Sequence, residues 1–152
     1  MFGNARLLKH WVPVFVWMAV IFTASTDLMS SRRTSRFLSP ILRWFNPDIS
    51  DETIRQVQLA VRKSGHCAEY AILALLVWRA IRKPRKNDSR PWSWREAGLA
   101  LAIAAAYAAT DELHQYFVAS RNASVGDALI DTGGAAAGIL LWWCLVRRRR
   151  PL

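Results

Sequence analysis

The chain has 152 residues, 53% of them hydrophobic, eight Trp and a net charge of +10. Its length suits one domain over 1–152, and its hydrophobic residues come in blocks separated by basic clusters, the pattern of a small polytopic membrane protein. No soluble basic domain remains once those blocks are removed, so the positive charge does not mark a nucleic-acid binder.

The first apolar block covers about residues 8–26, behind Arg6 and Lys9. It has the outline of a secretory signal peptide, but Thr23-Ala24-Ser25 is a weak cleavage site, and the block is read as a membrane span. A long connection follows. In it Phe37, Leu38, Ile41, Leu42 and Phe45 share a helical face with Trp44 alongside, which suits a segment lying at the membrane interface. Pro40 is expected to bend that segment or begin a turn. Ser50 is a good N-cap for a second helix, with Asp51 and Glu52 well placed in its first turn. Ile54, Val57 and Val61 give this helix an apolar stripe, and Ser64-Gly65 offers a stop.

Three more apolar segments occupy about 66–82, 97–118 and 125–146. Each approaches the roughly 20 residues that cross a ~30 Å hydrocarbon layer. The predicted fold is thus all-α and membrane-bound: a four-span transmembrane helical bundle with an interfacial helical connection between spans 1 and 2. The blocks are continuous rather than alternating in polarity, which disfavours a barrel. Lys and Arg are denser on the side holding Arg6, Lys9, the 82–95 connection and Arg147 to Arg150, which puts both termini in the cytoplasm. Cys67 and Cys144 then fall near opposite membrane faces, too far apart for a disulfide.

Against this background five carboxylates stand out. Glu69, Asp111, Glu112, Asp127 and Asp131 lie inside or at the ends of the spans, where an acid costs about 2.5–3.5 kcal/mol near a helix centre and normally faces a bundle interior or water-filled cavity. Helical spacing groups them. His66, Glu69 and Tyr70 share one face of the second span, and Asp111, His114 and Gln115 share one face of the third. Asp127, Asp131, Gly134 and Gly138 share one face of the fourth, where glycines also let another helix approach. All of the acids belong to the outer half, so an outward-facing polar pocket is expected. Ser124 to Asp127 fits a capping box, which would make Asp127 mainly a helix-end device. Gly133, Gly134 and Gly138 read as packing residues, and Arg121 is the expected partner for the acids, in a loop over the pocket's rim.

The stretch from Lys63 to Leu73, the run Asp111-Glu112-Leu113-His114-Gln115-Tyr116-Phe117, and Arg121 with Ser124, Asp127, Asp131 and Gly134 together resemble the VanZ-like family of small bacterial integral membrane proteins. Ser25 is a further point of similarity, and the likeness covers nearly the whole chain. It implies a four-span fold in the bacterial cytoplasmic membrane and a link to the cell envelope; the family's founding member is associated with resistance to the glycopeptide teicoplanin. Asn122-Ala123 stands where relatives often carry Gly or Ser after the arginine, and Val118-Ala119-Ser120 replaces the usual Pro-Gly turn before it.

Three functions fit these residues. In an enzyme acting on an envelope lipid or a lipid-linked precursor, His66, Glu69, Asp111, Glu112 and Asp131 would supply a general acid and base, while Arg121, Tyr70, Gln115, Ser124 and Asp127 would bind substrate, with Arg121 on a phosphate. The sequence names no cofactor. A divalent metal is a variant of this reading, because His66-x-x-Glu69 and Asp111-x-x-His114 each set an imidazole and a carboxylate on one helical face. The second function is a pocket that binds or transports an amphipathic envelope ligand without changing it; transport through so few spans would call for a homodimer in the lipid bilayer. The third is a polar network that only fixes helix packing.

Overall fold

The computed structural model describes residues 3–26, 31–84, 88, 90–117 and 124–148. Those residues form five helices and no strand: α1 (Gly3–Ala24), α2 (Ser31–Phe45), α3 (Asp51–Arg82), α4 (Trp94–Tyr116) and α5 (Val125–Arg148). The all-helical expectation therefore holds among the described residues.

Helix starts follow the sequence closely. Ser50 Oγ accepts the Thr53 N–H at 3.1 Å, with Asp51 and Glu52 in the first turn of α3, and Ser93 caps α4 through the Glu96 N–H at 3.3 Å. Helix stops follow it less well. The stop expected at Ser64-Gly65 is absent, and α3 runs unbroken for 32 residues. An interior glycine costs only about 1 kcal/mol, and the Ser64 hydroxyl is absorbed by the Ala60 carbonyl of its own helix at 2.8 Å. Likewise α2 continues through Pro40, so no turn begins there. The ring removes one N–H from the ladder, while Arg43 to Asp51 and Gln58 to Ser39 tie α2 to α3 on either side of it. Most of the apolar face of α2 stays open, Phe37, Ile41, Trp44 and Phe45 all being exposed.

The bundle is built on close backbone contact. A Cβ on Gly134 of α5 would stand 2.5 Å from the Cys67 carbonyl oxygen of α3, and one on Gly138 would stand 2.8 Å from Ala71 Cβ. These two glycines, four residues apart, let α3 and α5 touch. Gly133 does not share the role expected of it: a Cβ there would meet nothing within 4 Å, because one residue turns the side chain by about 100°. α4 buries an alanine stripe, Ala97, Ala100, Ala104 and Ala108, which runs in register to Asp111. α1 is held by two long-range bonds: Trp17 Nε1 donates to the Glu69 carbonyl at 2.9 Å, and the Tyr107 hydroxyl donates to the Met18 carbonyl at 2.7 Å.

The chain therefore runs up and down, with the C-terminal end of α4 and the N-terminal end of α5 gathered at one pole. The other pole is latched by Arg82. Though buried, it donates to Glu96 at 2.9 Å, to Asp88 at 3.2 Å and to the Arg90 and Pro91 carbonyls at 2.7 and 3.1 Å. Its guanidinium also lies 5.5 Å from the Trp78 ring, which stacks on Trp92 at 5.3 Å. Large apolar side chains cover the outside of the helices, Phe15, Val16, Leu99, Leu113, Leu129 and Leu141 among them. One described helix, α5, is long and apolar enough to cross a membrane; the apolar stretch Leu8–Ala24 is shorter.

Candidate functional site

At the pole away from Arg82, polar side chains from four elements meet. Ser25, one residue past α1, donates its hydroxyl to Asp111 Oδ2 of α4 at 2.7 Å. Gln115, one helical turn beyond Asp111, donates Nε2 to the same oxygen at 3.1 Å. All three are buried. The two donors fix the Asp111 carboxylate through that one oxygen.

Asp131 of α5 faces this trio. It is 1% exposed, its Oδ1 lies 3.7 Å from His66 Nδ1 of α3, and its Oδ2 is buried with no hydrogen bond among the described residues. His66, Asp111 and Asp131 each present one ligand atom within 4.8 Å of the others. Tyr70, fully buried one turn below His66, lies within electrostatic reach of both aspartates. The close α3–α5 approach at Gly134 makes this meeting possible, since Cys67 directly follows His66 and Gly134 lies three residues, about one turn, beyond Asp131.

Above the acids is a small cleft walled by Arg62, Lys63, His66, Glu112, Gln115 and Asp127, with Ile130 and Asp131 beside them. Lys63 Nζ pairs with Asp127 Oδ1 at 3.1 Å, and Glu112 lies within electrostatic reach of Arg62. The capping-box reading of Asp127 needs correction here. Ser124 Oγ does cap α5, accepting the Gly126 N–H at 3.1 Å, but the Ser124 N–H that the box assigns to Asp127 donates to Glu112 Oε2 at 2.8 Å. Asp127 is thereby released to Lys63, and Glu112 joins the α4 terminus to the start of α5.

Of the residues picked out in sequence, the structure gathers His66, Tyr70, Asp111, Glu112, Gln115, Asp127 and Asp131, with Ser124 at the edge. Glu69 lies within electrostatic reach of Asp131 but outside the cleft wall. His114 turns aside to pack on Phe22, ring centroids 4.4 Å apart. Among the described residues, His66 is grouped with aspartates from two other helices. Arg121 lies outside the described residues. Sequence reasoning gives Arg62 and Lys63 no role in the site, Lys63 entering only with the family resemblance, although they stand four and three residues before His66 on its helical face. Ser25 carried no signal of its own beyond the resemblance.

Chemically, two buried carboxylates and an imidazole can hold a cation or move a proton, and two cations at the mouth can meet an anionic group. A model of the VanZ/LLP1 family matches residues 10–147. No curated protein and no solved structure matches the chain.

Proposed function

The chain belongs to the VanZ/LLP1 family, and from that premise we propose that it is a four-span protein of the bacterial cytoplasmic membrane whose outward-facing cleft takes the headgroup of a lipid-linked or otherwise amphipathic envelope molecule. α4 has 23 residues and α5 has 24, each long enough at 1.5 Å per residue to cross a ~30 Å layer. Glu112 and Gln115, which line the cleft, lower the hydropathy of α4, whose exposed residues include Leu99, Leu113 and Tyr116. Trp78, Trp92, Trp94, Trp142 and Trp143 contact one another around Arg82, as an aromatic belt at the cytoplasmic interface would.

One observation carries the functional reading: Arg62 and Lys63 stand at the mouth of a cleft whose floor is Asp131 and His66, in a bundle otherwise packed with alanine, glycine and aliphatic side chains. Cations at the mouth suit a phosphate, and the acid floor suits hydroxyl or amino groups beyond it. In the catalytic form of the reading, His66 and Asp131 exchange the proton while Asp111, fixed by Ser25 and Gln115, orients the reacting group. In the alternative form the same groups bind the ligand unchanged, as a receptor or transport accessory does. Glycopeptide tolerance is the phenotype that a site on envelope precursors would affect.

The test is to incubate the purified full chain in nanodiscs with a polyprenyl phosphate and a polyprenyl-linked sugar, then analyse the lipids by mass spectrometry. Saturable binding is required by both forms; a chemically altered lipid selects the enzyme and an unaltered one the binder. Absence of saturable binding to either lipid overturns the proposal.

A further inference from the structure

We infer that His66, Asp111 and Asp131 form a binding site for one divalent transition-metal cation, of the Zn²⁺ or Mn²⁺ class, at the floor of the cleft. This deepens the pocket reading and rests on it for what the cation would then meet.

The first ground is convergence. Three ligands of types suited to such ions, one imidazole and two carboxylates, arrive from three different helices with their donor atoms within 4.8 Å of one another. Ligands held at roughly 2.0–2.2 Å from a cation stand about 3 Å apart, so rotation of the side chains closes the site without moving a helix. An imidazole with two carboxylates suits zinc, manganese or ferrous iron better than magnesium or calcium, which favour oxygen alone.

The second ground is independent of the count of acids. Asp131 Oδ2 is buried and makes no hydrogen bond among the described residues, in a residue 1% exposed, while Asp111 is met by Ser25, Gln115 and the Tyr70 hydroxyl. A buried carboxylate oxygen left without a partner is strongly unfavourable, and a cation between the two aspartates supplies what Asp131 lacks. Among the described residues, the side-chain cations of the cleft are otherwise directed: Lys63 pairs with Asp127, and Arg62 lies near Glu112. With His66 neutral, the three groups carry two negative charges, matching one divalent ion.

The third ground is support around the ligands. Ser25 and Gln115 both donate to Asp111 Oδ2, which anchors the carboxylate through one oxygen, the role that outer hydrogen bonds play in metal sites. Three protein ligands also leave coordination positions facing the cleft, where a water or a headgroup oxygen can bind. There the cation polarises a phosphoryl or carbonyl oxygen brought in past Arg62 and Lys63.

The experiment uses the full chain in nanodiscs, stripped with chelator, dialysed, and titrated with Zn²⁺ or Mn²⁺ alone. Retained metal is measured by elemental mass spectrometry and Mn²⁺ sequestration by its electron paramagnetic resonance signal. Close to one ion per chain is expected, with at least tenfold weaker binding in Asp131→Asn and His66→Gln, a smaller loss in Ser25→Ala, and wild-type binding in His114→Gln. Wild-type protein that retains no more metal than empty nanodiscs, or Asp131→Asn and His66→Gln proteins that retain as much as wild type, overturns the site. If Asp131→Asn does not accumulate, His66→Gln decides alone, because His66 is only part-buried and outside the apolar core. Polyprenyl phosphate binding without metal retention overturns the cation site and leaves the pocket reading intact; metal retention without lipid binding does the reverse.

Discussion

Substituting alanine at Gly134 probes how the cleft is assembled. The added Cβ would lie 2.5 Å from the Cys67 carbonyl oxygen, 2.6 Å from its Cα and 2.9 Å from its carbonyl carbon. That is roughly 1 Å short of the ~3.5 Å optimum between carbon atoms, and all three obstacles are backbone, which cannot rotate away. α3 and α5 must therefore separate next to His66 and Asp131. Overpacking of this kind costs about 1–3 kcal/mol, and the upper end is expected because no side chain can yield. Gly133→Ala is the matched control: it meets open space, and helix propensity alone makes it about 0.5–1 kcal/mol more stable. Thermal unfolding of both variants in one detergent measures the difference. Equal melting temperatures for Gly134→Ala and wild type would refute the close-contact reasoning, as would equal shifts at the two positions.

Other expectations follow from the opposite pole and from topology. Arg82→Gln leaves Asp88, Glu96 and the Arg90 and Pro91 carbonyls without their shared donor in a partly buried cluster, a change that costs about 1–3 kcal/mol; Arg82→Lys should rescue little, since an ammonium cannot span partners set out for a planar fork, and near-wild-type unfolding of the lysine variant would count against the latch. Arg90 donates to Asp88 through Nε and Nη2, both at 2.9 Å, and this bonding holds the Asp88 carboxyl well below the usual carboxylate range. A depressed folded-state value stabilises above the unfolded pKa and is lost as pH falls through the folded one. Hydrogen-exchange protection of Arg90 and its neighbours should therefore persist as pH drops past about 4, the ordinary carboxylate value, and loss of protection already near pH 5 would refute the assignment. On the proposed topology a reporter fused after Arg95 reads as cytoplasmic; an external reading would move the cleft to the inner face.

Much of this arrangement was legible in the sequence, for identifiable reasons. Polar residues at helical spacing within apolar segments are rare enough that the sequence alone assigns Asp111 with Gln115, and Asp127 with Asp131, to common faces. Ser50 was legible because capping is local chemistry. What escaped was tertiary. Nothing in the spacing of α4 says that His114 will pack on the Phe22 ring, and nothing in that of α3 says that His66 will meet Asp131 of α5. Ser64-Gly65 looked like a stop because local propensity favours one, and the continuity of α3 overrode it. Ser124 to Asp127 matched a capping box in letters, but a third carboxylate, Glu112, reached the Ser124 N–H first. Only a partner from another helix could reveal that.

The central proposal is that the meeting of His66, Asp111 and Asp131 is a working site rather than a packing device. Asp131→Asn tests it most directly, because the amide keeps nearly the same shape while removing the charge. Polyprenyl phosphate binding should be measured for wild-type and Asp131→Asn chains that reach the membrane in equal amounts. Saturable binding by wild type, weakened at least tenfold in the variant while both melt within a few degrees of each other, is the expected result. Undiminished binding by Asp131→Asn would contradict the proposal.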